Sequence, residues 1–176
     1  DPVSDPTGEA FFVRDDANGD LWSPTARPIR DSGTYTARHG FGYSRFQHES
    51  HGIGLELLQF VPIDDPIKVS RLTVVNNTAQ VRQLTVTFYA EWVLGSSRGA
   101  SAPFVLTDHD AGTGVLTARN AWSTAFANRV AFADLSGQQT AWTTDRTEFI
   151  GRNGSLAAPA ALQGSARLSG GGGPCL

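Results

Sequence analysis

The sequence predicts an all-β protein with the architecture of an antiparallel sandwich, and three features lead to this prediction. Apolar side chains occupy every second position from Leu84 to Trp92, with Thr, Tyr or Glu between them, which is the period of a strand that buries one face. Similar short segments follow one another along the chain, separated by turns rich in Gly and Asn. No window of about a dozen residues carries the apolar stripe of an amphipathic helix. Short strands at this spacing, without helices between them, favour a sandwich of antiparallel sheets.

The N-terminal part of the chain contains the first predicted strand and the first predicted hairpin turn. The strand is Glu9–Arg14, and it leads into a turn over residues 15–20. The Asn18-Gly19 pair in that turn favours the positive dihedral angles of a tight hairpin. The run from Arg38 to Pro66 has the same β-type composition. We therefore interpret that run as strands of the sandwich.

The other predicted strands are short segments rich in β-branched and aromatic side chains. They are Ile53–Val61, Ile67–Val75, Val81–Trp92, Phe104–Thr107, Val115–Arg119, Arg129–Asp134 and Thr140–Thr144. Residues 76–80, Asn-Asn-Thr-Ala-Gln, are expected to join the second and third of these segments as a hairpin loop.

The length and the composition suit one domain with its own hydrophobic core. The chain has 176 residues, of which 40% are hydrophobic. We expect a β-sandwich domain over residues 1–168. After Gly151 the alternation disappears, and Ala-, Pro- and Ser-rich sequence follows and ends in a glycine-rich stretch. Residues 169–176 are therefore predicted to be a loop or linker.

The charge and the composition exclude several classes of partner. With 14 basic and 17 acidic residues the net charge is −3, so we expect no surface for nucleic acid or anionic membranes, which requires clustered Lys and Arg. No apolar stretch approaches the roughly 20 residues that span a bilayer, and residues 1–6 lack the form of a signal peptide. Cys175 is the only cysteine, which excludes an internal disulfide and a Cys-based metal site. No nucleophile elbow, P-loop or dinucleotide-binding motif is present, and no cofactor is predicted.

Three clusters of charged residues have the composition of active or metal sites. His48 and His51 are three positions apart, which on a strand directs them to opposite faces, so we interpret them as parts of a solvated strand or turn. The adjacent pair Asp64-Asp65 precedes a proline, and we expect two surface acids on a turn rather than the facing carboxylates of a glycosidase. Asp108 and Asp110 resemble half of a calcium loop but lack the later Glu that closes it. No metal site is predicted.

Aromatic side chains are the clearest signal for a sugar ligand, because a sugar ring stacks on an apolar face that has polar groups beside it. The Trp and Tyr residues are Trp22, Trp92, Trp122, Trp142, Tyr35, Tyr43 and Tyr89. We expect about two thirds of them in the core, since Trp92 ends an apolar face and Tyr43 alternates with Phe41 as strand residues do. Trp22 and Trp122 are the aromatic residues predicted to contact carbohydrate.

Five segments together resemble one family of carbohydrate enzymes. They are Asp20–Thr25 (DLWSPT), Arg38–Arg45 (RHGFGYSR), Phe60–Pro62 (FVP), Arg71–Asn77 (RLTVVNN) and Asp145–Gly151 (DRTEFIG). In this order they are similar to the glycoside phosphorylases of glycoside hydrolase family 94, formerly glycosyltransferase family 36, which include cellobiose and chitobiose phosphorylases. Three further segments are similar to the C-terminal region of one branch of that family, the cyclic β-1,2-glucan synthases: Glu91–Gly95 (EWVLG), Ser101–Val105 (SAPFV) and Gly151–Leu156 (GRNGSL). The resemblance extends from about residue 9 to about residue 168.

This resemblance implies a fold and a division of roles. It implies an antiparallel β-supersandwich of the galactose-mutarotase-like type, of which this chain is a fragment, preceding a helical linker and an (α/α)6 barrel. In the family the general acid and the phosphate site lie on the barrel, so the resemblance implies that the sandwich alone is not an enzyme. The sandwich packs on the barrel, supports dimerisation, and in cellobiose-type members sends a loop towards the active site. Arg98 falls near the position of an arginine directed at the active site in those members.

We therefore expect the non-catalytic sandwich part of the phosphorylase-like region of a cyclic β-1,2-glucan synthase. Its expected partners are the (α/α)6 barrel of the same parent chain, β-glucan and a second copy in a homodimer. The resemblance implies a parent in the bacterial inner membrane that transfers glucosyl units from a nucleotide sugar, with this domain in the cytoplasm and not inserted in the membrane. The alternative is an independent carbohydrate-binding module, and a free-standing glycosidase that uses Asp64 or Glu91 ranks third. The candidate carbohydrate-binding residues are Arg98, Trp22 and Trp122.

Overall fold

The computed structural model describes residues 7–125, 127–164 and 168–171. Strands dominate these residues, and their two α-helices have only 4 and 5 residues, so the all-β prediction is confirmed. The chain divides after Tyr89 into two compact units. The division into a domain over residues 1–168 and a linker over residues 169–176 stays a prediction. The expectations for residues 1–6 and for Cys175 fall outside the described residues.

The first unit consists of two antiparallel sheets. The strands are β1 Glu9–Asp15, β2 Leu21–Trp22, β3 Tyr35–Gly40, β4 Tyr43–Ser50, β5 Ile53–Phe60, β6 Val69–Asn76 and β7 Leu84–Ala90. One sheet has the order β2-β1-β7, and the other has the order β3-β4-β5-β6. Between β1 and β2 the predicted tight turn is present, since the N–H of Asp15 donates to the carbonyl of Asp20 at 2.9 Å and Gly19 has φ +80°.

The core of the first unit lies between its two sheets. Alternate residues of β5 are buried, from Ile53 to Leu57, as the alternating sequence predicts. Val13 and Trp22 of the other sheet form one buried cluster with Ile53 and Leu55. The opposite face of the four-stranded sheet is left towards solvent, because consecutive side chains on a strand point to opposite faces.

The expected hairpin over residues 76–80 is wrong. β6 pairs with β5 and β7 joins β1, so the loop crosses from one sheet to the other. The N–H of Asn77 donates to the carbonyl of Gly52 at 2.9 Å, which continues the β5–β6 pairing past the end of β6. The carbonyl of Gln83 then accepts from the N–H of Asp16 at 3.0 Å, which brings β7 alongside β1. The residues of a turn do not determine with which strand the following strand will pair.

The second unit contains a small antiparallel sheet and short helices. The elements are α1 Arg98–Ser101, β8 Leu106–His109, β9 Leu116–Arg119, β10 Ala131–Ala133 and α2 Arg146–Ile150, and the strands have the order β10-β9-β8. α2 begins at Asp145, whose carboxylate accepts from the N–H groups of Thr147 and Glu148 at 2.7 and 3.2 Å. Such capping stabilises a helix that is too short to show an apolar period.

The predicted strand Thr140–Thr144 is wrong. The segment makes two backbone hydrogen bonds with the glycine-rich stretch, from the N–H of Gly170 to the carbonyl of Trp142 and from the N–H of Thr144 to the carbonyl of Gly171. Thr143 donates its hydroxyl to Glu148 at the start of α2. These contacts give the segment partners outside the sheets, and residues 140–144 form no strand.

Candidate functional site

Trp22, one of the predicted sugar contacts, lies in the core of the first unit. Its side chain is 1% exposed, and its ring stacks on His51 with 4.9 Å between the ring centroids. A buried ring offers no face on which a sugar can stack. The prediction that Trp22 contacts carbohydrate is therefore wrong, because this indole fills the space between the two sheets.

Trp122, the second aromatic candidate, lies on the surface of the second unit. Its side chain is 78% exposed, and its ring lies 5.4 Å from that of Phe104, measured between centroids. Phe104 and its neighbour Leu106 are exposed as well. The backbone N–H of Trp122 donates to the side-chain oxygen of Asn120 at 3.0 Å, which fixes the loop after β9. The structure therefore places an exposed aromatic pair where a planar ligand can stack.

Arg98 is the first residue of α1, and its guanidinium is held by a neighbouring acid. Arg98 Nε lies 3.1 Å from Glu91 Oε1, and the two side chains are 31% and 16% exposed. Ser97 caps the helix by accepting from the N–H of Ala100 at 3.4 Å. The arginine is thus held in an ion pair while about a third of its side chain remains exposed.

A buried amide joins the loop of Trp122 to the segment that precedes Arg98. Asn120 is 3% exposed, and its Nδ2 donates to the carbonyl of Leu94 at 3.1 Å. Leu94 itself has φ 42°, a left-handed conformation that such a contact helps to hold. Sequence reasoning missed Asn120, whose only signal is its position at the end of β9. We call Arg98, Phe104, Asn120 and Trp122 the loop site.

The two histidines of the His48–His51 segment bind different carboxylates. His48 Nε2 lies 3.0 Å from Asp31 Oδ2, and His51 Nδ1 lies 3.1 Å from Asp20 Oδ2. His48 is 3% exposed, so the interpretation of the segment as solvated is wrong for this residue. It lies on the core face of β4, where its ring stacks on Tyr35 with 3.7 Å between centroids. Within residues 7–125, 127–164 and 168–171, no group of three or more His, Cys, Asp or Glu side chains is placed to hold a metal ion.

Asp31 is the centre of a hydrogen-bonded cluster on the first unit. Its carboxylate accepts from the Ser50 hydroxyl at 2.5 Å, from the N–H of Gly33 at 2.7 Å and from His48 Nε2 at 3.0 Å. Burial by itself raises the pKa of this carboxyl, but the donors from Ser50, Gly33 and His48 outweigh burial and hold the pKa of Asp31 at about 2. The cluster ties the segment before β3 to β4, so we assign it a structural role.

We expect this cluster to make the stability of the first unit depend on pH. The pKa of Asp31 is about 2 in the folded chain against 3.8 for a free carboxyl. The stabilisation is therefore complete above pH 5 and is lost as the pH falls towards about 2, with a total of about 2 kcal/mol or less. The measurement is urea unfolding at several pH values for the parent chain and for Asp31→Asn. The variant keeps one acceptor but cannot ionise, and an acid-induced loss of the same size in both proteins would contradict the assignment.

The remaining acid clusters serve turns. Asp64 and Asp65 are exposed at bends between β5 and β6, which confirms the interpretation of this pair as surface acids. Asp108 accepts from the N–H of His109, and Asp110 from the N–H of Gly112, each at 2.8 Å. The backbone N–H of Gly112 is the main cause of the lowered pKa of Asp110. Both Asp108 and Asp110 are thus engaged with the backbone of their own loop.

The fold and the sequence define the class of protein to which this chain belongs. The model of the family "Glycosyl hydrolase 94, supersandwich domain" matches residues 1–176. The chain therefore belongs to the supersandwich domain family of glycosyl hydrolase 94.

Particular relatives are similar over much of the chain. Cyclic beta-(1,2)-glucan synthase NdvB of Rhizobium meliloti (strain 1021) is 40% identical over 171 residues, which are 97% of this chain and 6% of that protein. Solabiose phosphorylase of Paenibacillus borealis is 28% identical over 86% of this chain and 20% of its own length. N,N'-diacetylchitobiose phosphorylase of Vibrio proteolyticus is 29% identical over 62% of this chain and 14% of its own length. The chain thus spans a small part of each of these relatives.

The helices of the described residues are too short to cross a bilayer. None in residues 7–125, 127–164 and 168–171 combines the necessary length with an apolar composition.

Proposed function

We propose that this chain is a non-catalytic sandwich domain that supports an (α/α)6 catalytic barrel in the same parent protein. The observation that carries the proposal is the match of the supersandwich family model to all 176 residues. The relative with 40% identity, a cyclic β-1,2-glucan synthase, favours a parent of that kind. In this proposal the parent lies in the bacterial inner membrane and transfers glucosyl units, while the domain lies on the cytoplasmic side and takes part in a homodimer.

The electrostatics of the acids support a role without catalysis. A glycosidase needs a general acid whose pKa is raised, opposite a second carboxylate. The carboxyl groups with resolved shifts in the described residues all have a lowered pKa: Asp15, Asp31, Asp110 and Glu148. Glu91, the other candidate for a glycosidase, forms an ion pair with Arg98. The lowered pKa holds Asp15, Asp31, Asp110 and Glu148 in the ionised form, which suits structure rather than proton donation.

The loop site supports a contact between the domain and β-glucan. Trp122 and Phe104 present exposed aromatic faces on one surface, and Asn120 connects their loop to the segment that leads to Arg98. Rings with polar side chains nearby are the usual elements of sugar recognition. Arg98 and Trp122 are therefore the proposed glucan contacts of this domain, whereas Trp22 is not.

An assay of glucose 1-phosphate release tests whether the domain is catalytic. β-1,2-Glucan and inorganic phosphate are incubated with the purified chain, and the product is followed by a coupled enzyme assay. We expect no release above the blank, because the residues for proton donation and phosphate binding are proposed to lie on the barrel. Release that scales with the concentration of the chain would overturn the proposal.

An independent carbohydrate-binding module is the second candidate function, and the exposure of Trp122 favours it. The two functions differ in whether the domain acts with or without a barrel. A module binds glucan without a barrel, whereas a supporting domain changes the properties of the barrel on which it packs. Measuring the activity of the separately produced barrel with and without this chain separates the two functions.

A further inference from the structure

The solvent face of the four-stranded sheet of the first unit carries aromatic and planar polar side chains in rows. β3, β4, β5 and β6 pair in continuous antiparallel register. Ile53, Leu55 and Leu57 of β5 point into the core. The residues between them, and the residues paired with those on the neighbouring strands, therefore form the opposite face of the sheet. Directly paired residues on that face lie in rows that cross the strands.

The first row contains Gly40, Tyr43, Phe60 and Val69. Tyr43 pairs with Gly40 on one side and with Phe60 on the other. The Tyr43 ring lies over Gly40, since a Cβ added to that glycine would come within 2.2 Å of Tyr43 Cε1 and 2.8 Å of its hydroxyl oxygen. Tyr43 and Phe60 remain 44% and 36% exposed. The missing side chain of Gly40 thus makes room for a ring that covers the backbone of β3 and leaves aromatic surface towards solvent.

Phe41 extends this aromatic surface. It lies at the tip of the hairpin between β3 and β4, where its side chain is fully exposed. Exposed aromatic rings clustered on one surface usually mark a binding site. The three aromatic residues Phe41, Tyr43 and Phe60 therefore form one edge of a candidate site.

The next two rows supply planar hydrogen-bonding groups. One row contains Arg38, Arg45 and Arg71, and the other contains Gln47 and Glu56. A chain of contacts links them, because Arg38 Nη1 donates to Gln47 Oε1 at 2.6 Å and Gln47 Nε2 donates to Glu56 Oε2 at 2.9 Å. Arg45 Nε lies 3.8 Å from Glu56 Oε2. These contacts orient the planar groups and leave further donors and acceptors of the same side chains towards solvent.

The presence of an acid among the arginines of this face favours a neutral ligand over a polyanion. Glu56 lies beside the row of arginines and pairs with Arg45, and Glu49 lies one row further along β4. A site for nucleic acid or another polyanion would cluster positive charge without acids in its centre. From Tyr43 to Gln47 the face extends about 13 Å along β4, at about 3.3 Å per residue, which gives room for more than one sugar ring.

We propose that this face, from the Tyr43 row to the Gln47–Glu56 row, is a binding surface for a neutral β-glucan chain, with Tyr43 as the stacking platform. The inference rests on the proposed function, in which the parent protein handles β-1,2-glucan, and adds a second surface to the loop site. A sugar ring stacks on the open side of Tyr43 and neighbouring hydroxyl groups bond to Arg38, Arg45 and Gln47. Gly40 acts as a positioning residue, because its lack of a Cβ sets the position of the ring.

The test is calorimetric titration of the full 176-residue chain with β-1,2-glucan oligosaccharides. We expect Tyr43→Ala to raise Kd about two- to tenfold, the loss that corresponds to one aromatic contact. Tyr43→Phe keeps the ring, and its Kd should stay within about twofold of the parent value. Gly40→Ala keeps the tyrosine at position 43 but adds a Cβ that displaces its ring, so we expect a higher Kd for this variant as well. Val81→Ala, a fully exposed side chain outside this face, is the matched control and should bind like the parent chain.

Thermal melts of every variant distinguish a folding defect from a binding defect. Gly40→Ala keeps the proposal testable if Tyr43→Ala melts early. Unchanged binding in both Tyr43→Ala and Gly40→Ala, with binding lost in Trp122→Ala, would overturn the sheet surface and leave the loop site and the proposed function standing. Binding of dextran sulfate in place of neutral glucan would overturn the choice of ligand. Loss of self-association in Tyr43→Ala, seen by sedimentation without any change in glucan binding, would instead make this face an interface between copies of the chain. If the chain binds no β-1,2-glucan at all, the inference is also overturned. The proposed function is tested separately, by the assay of glucose 1-phosphate release and by the effect of the chain on the barrel.

Discussion

Replacing Trp22 with alanine should destabilise the first unit by about 3–5 kcal/mol, the usual cost of removing a large buried aromatic side chain. The indole is 1% exposed and packs with Val13, Ile53 and Leu55 from both sheets. Its removal leaves a cavity at the point where the sheets meet, and packed interiors close such cavities only in part. The effect should appear as a lower free energy of unfolding in urea, with little change in the affinity of the folded fraction for glucan.

Trp22→Phe is the matched control for this prediction. The Trp22 indole N–H is buried and makes no hydrogen bond within the described residues, so phenylalanine keeps much of the packing and loses no polar contact. We expect it to cost clearly less than alanine. A Trp22→Ala chain that unfolds at the parent urea concentration but no longer binds glucan would show that Trp22 is a surface contact and not a core residue.

Replacing Arg82 with alanine should clearly destabilise the first unit, because it leaves the carboxylate of Asp15 without its cation. Asp15 is 2% exposed, and Arg82 Nε donates to its Oδ2 at 2.8 Å while Arg82 Nη2 contacts the same oxygen. Arg82 Nη1 also donates to the carbonyl of His51 at 2.9 Å. The backbone N–H of Ala17 and then the Arg82 guanidinium lower the pKa of Asp15. The same arginine thus fixes β1, the turn before β5 and the entry to β7.

A double-mutant cycle in urea measures the pair. Asp15→Asn combined with Arg82→Ala removes both charges, and we expect it to cost less than the sum of the single changes. Strict additivity would show that the two side chains do not interact in solution. A cost for Arg82→Ala of the size found at exposed positions, within about 0.5 kcal/mol of zero, would contradict the buried ion pair.

Sequence reasoning predicts the strands of the first unit well where many residues alternate. β5 and β7 are long enough for a period of two to be visible, and both strands are present. Trp22 lies in β2, which has two residues, so no alternation exists from which its burial could be inferred. The role of the loop over residues 76–80 depends on which strand β7 joins, and that choice is made by contacts between distant residues such as Asp15 and Arg82.

The candidate sites also depend on contacts between distant residues, which local sequence patterns do not predict. Arg98 came from the family resemblance and Trp122 from residue type, and both lie at the surface of one unit. The amide of Asn120 that joins their segments is 26 positions from its partner Leu94, and no local pattern predicts such a contact. Tyr43 was expected in the core because it alternates with Phe41, yet alternation identifies a shared face without showing which face is buried. The ring over Gly40 is visible only once the register of β3 and β4 is known.

The most direct test of the central claim is the rate of glucose 1-phosphate release by the separately produced catalytic barrel of the parent protein, measured as this chain is added. β-1,2-Glucan and phosphate are held in excess, and the thermal melt of the barrel is recorded at each concentration of the chain. If the chain is a supporting domain, the rate and the melting temperature of the barrel rise to a plateau, and the chain alone releases nothing. A barrel whose rate and melting temperature are the same with and without a folded chain would show that the chain does not support it.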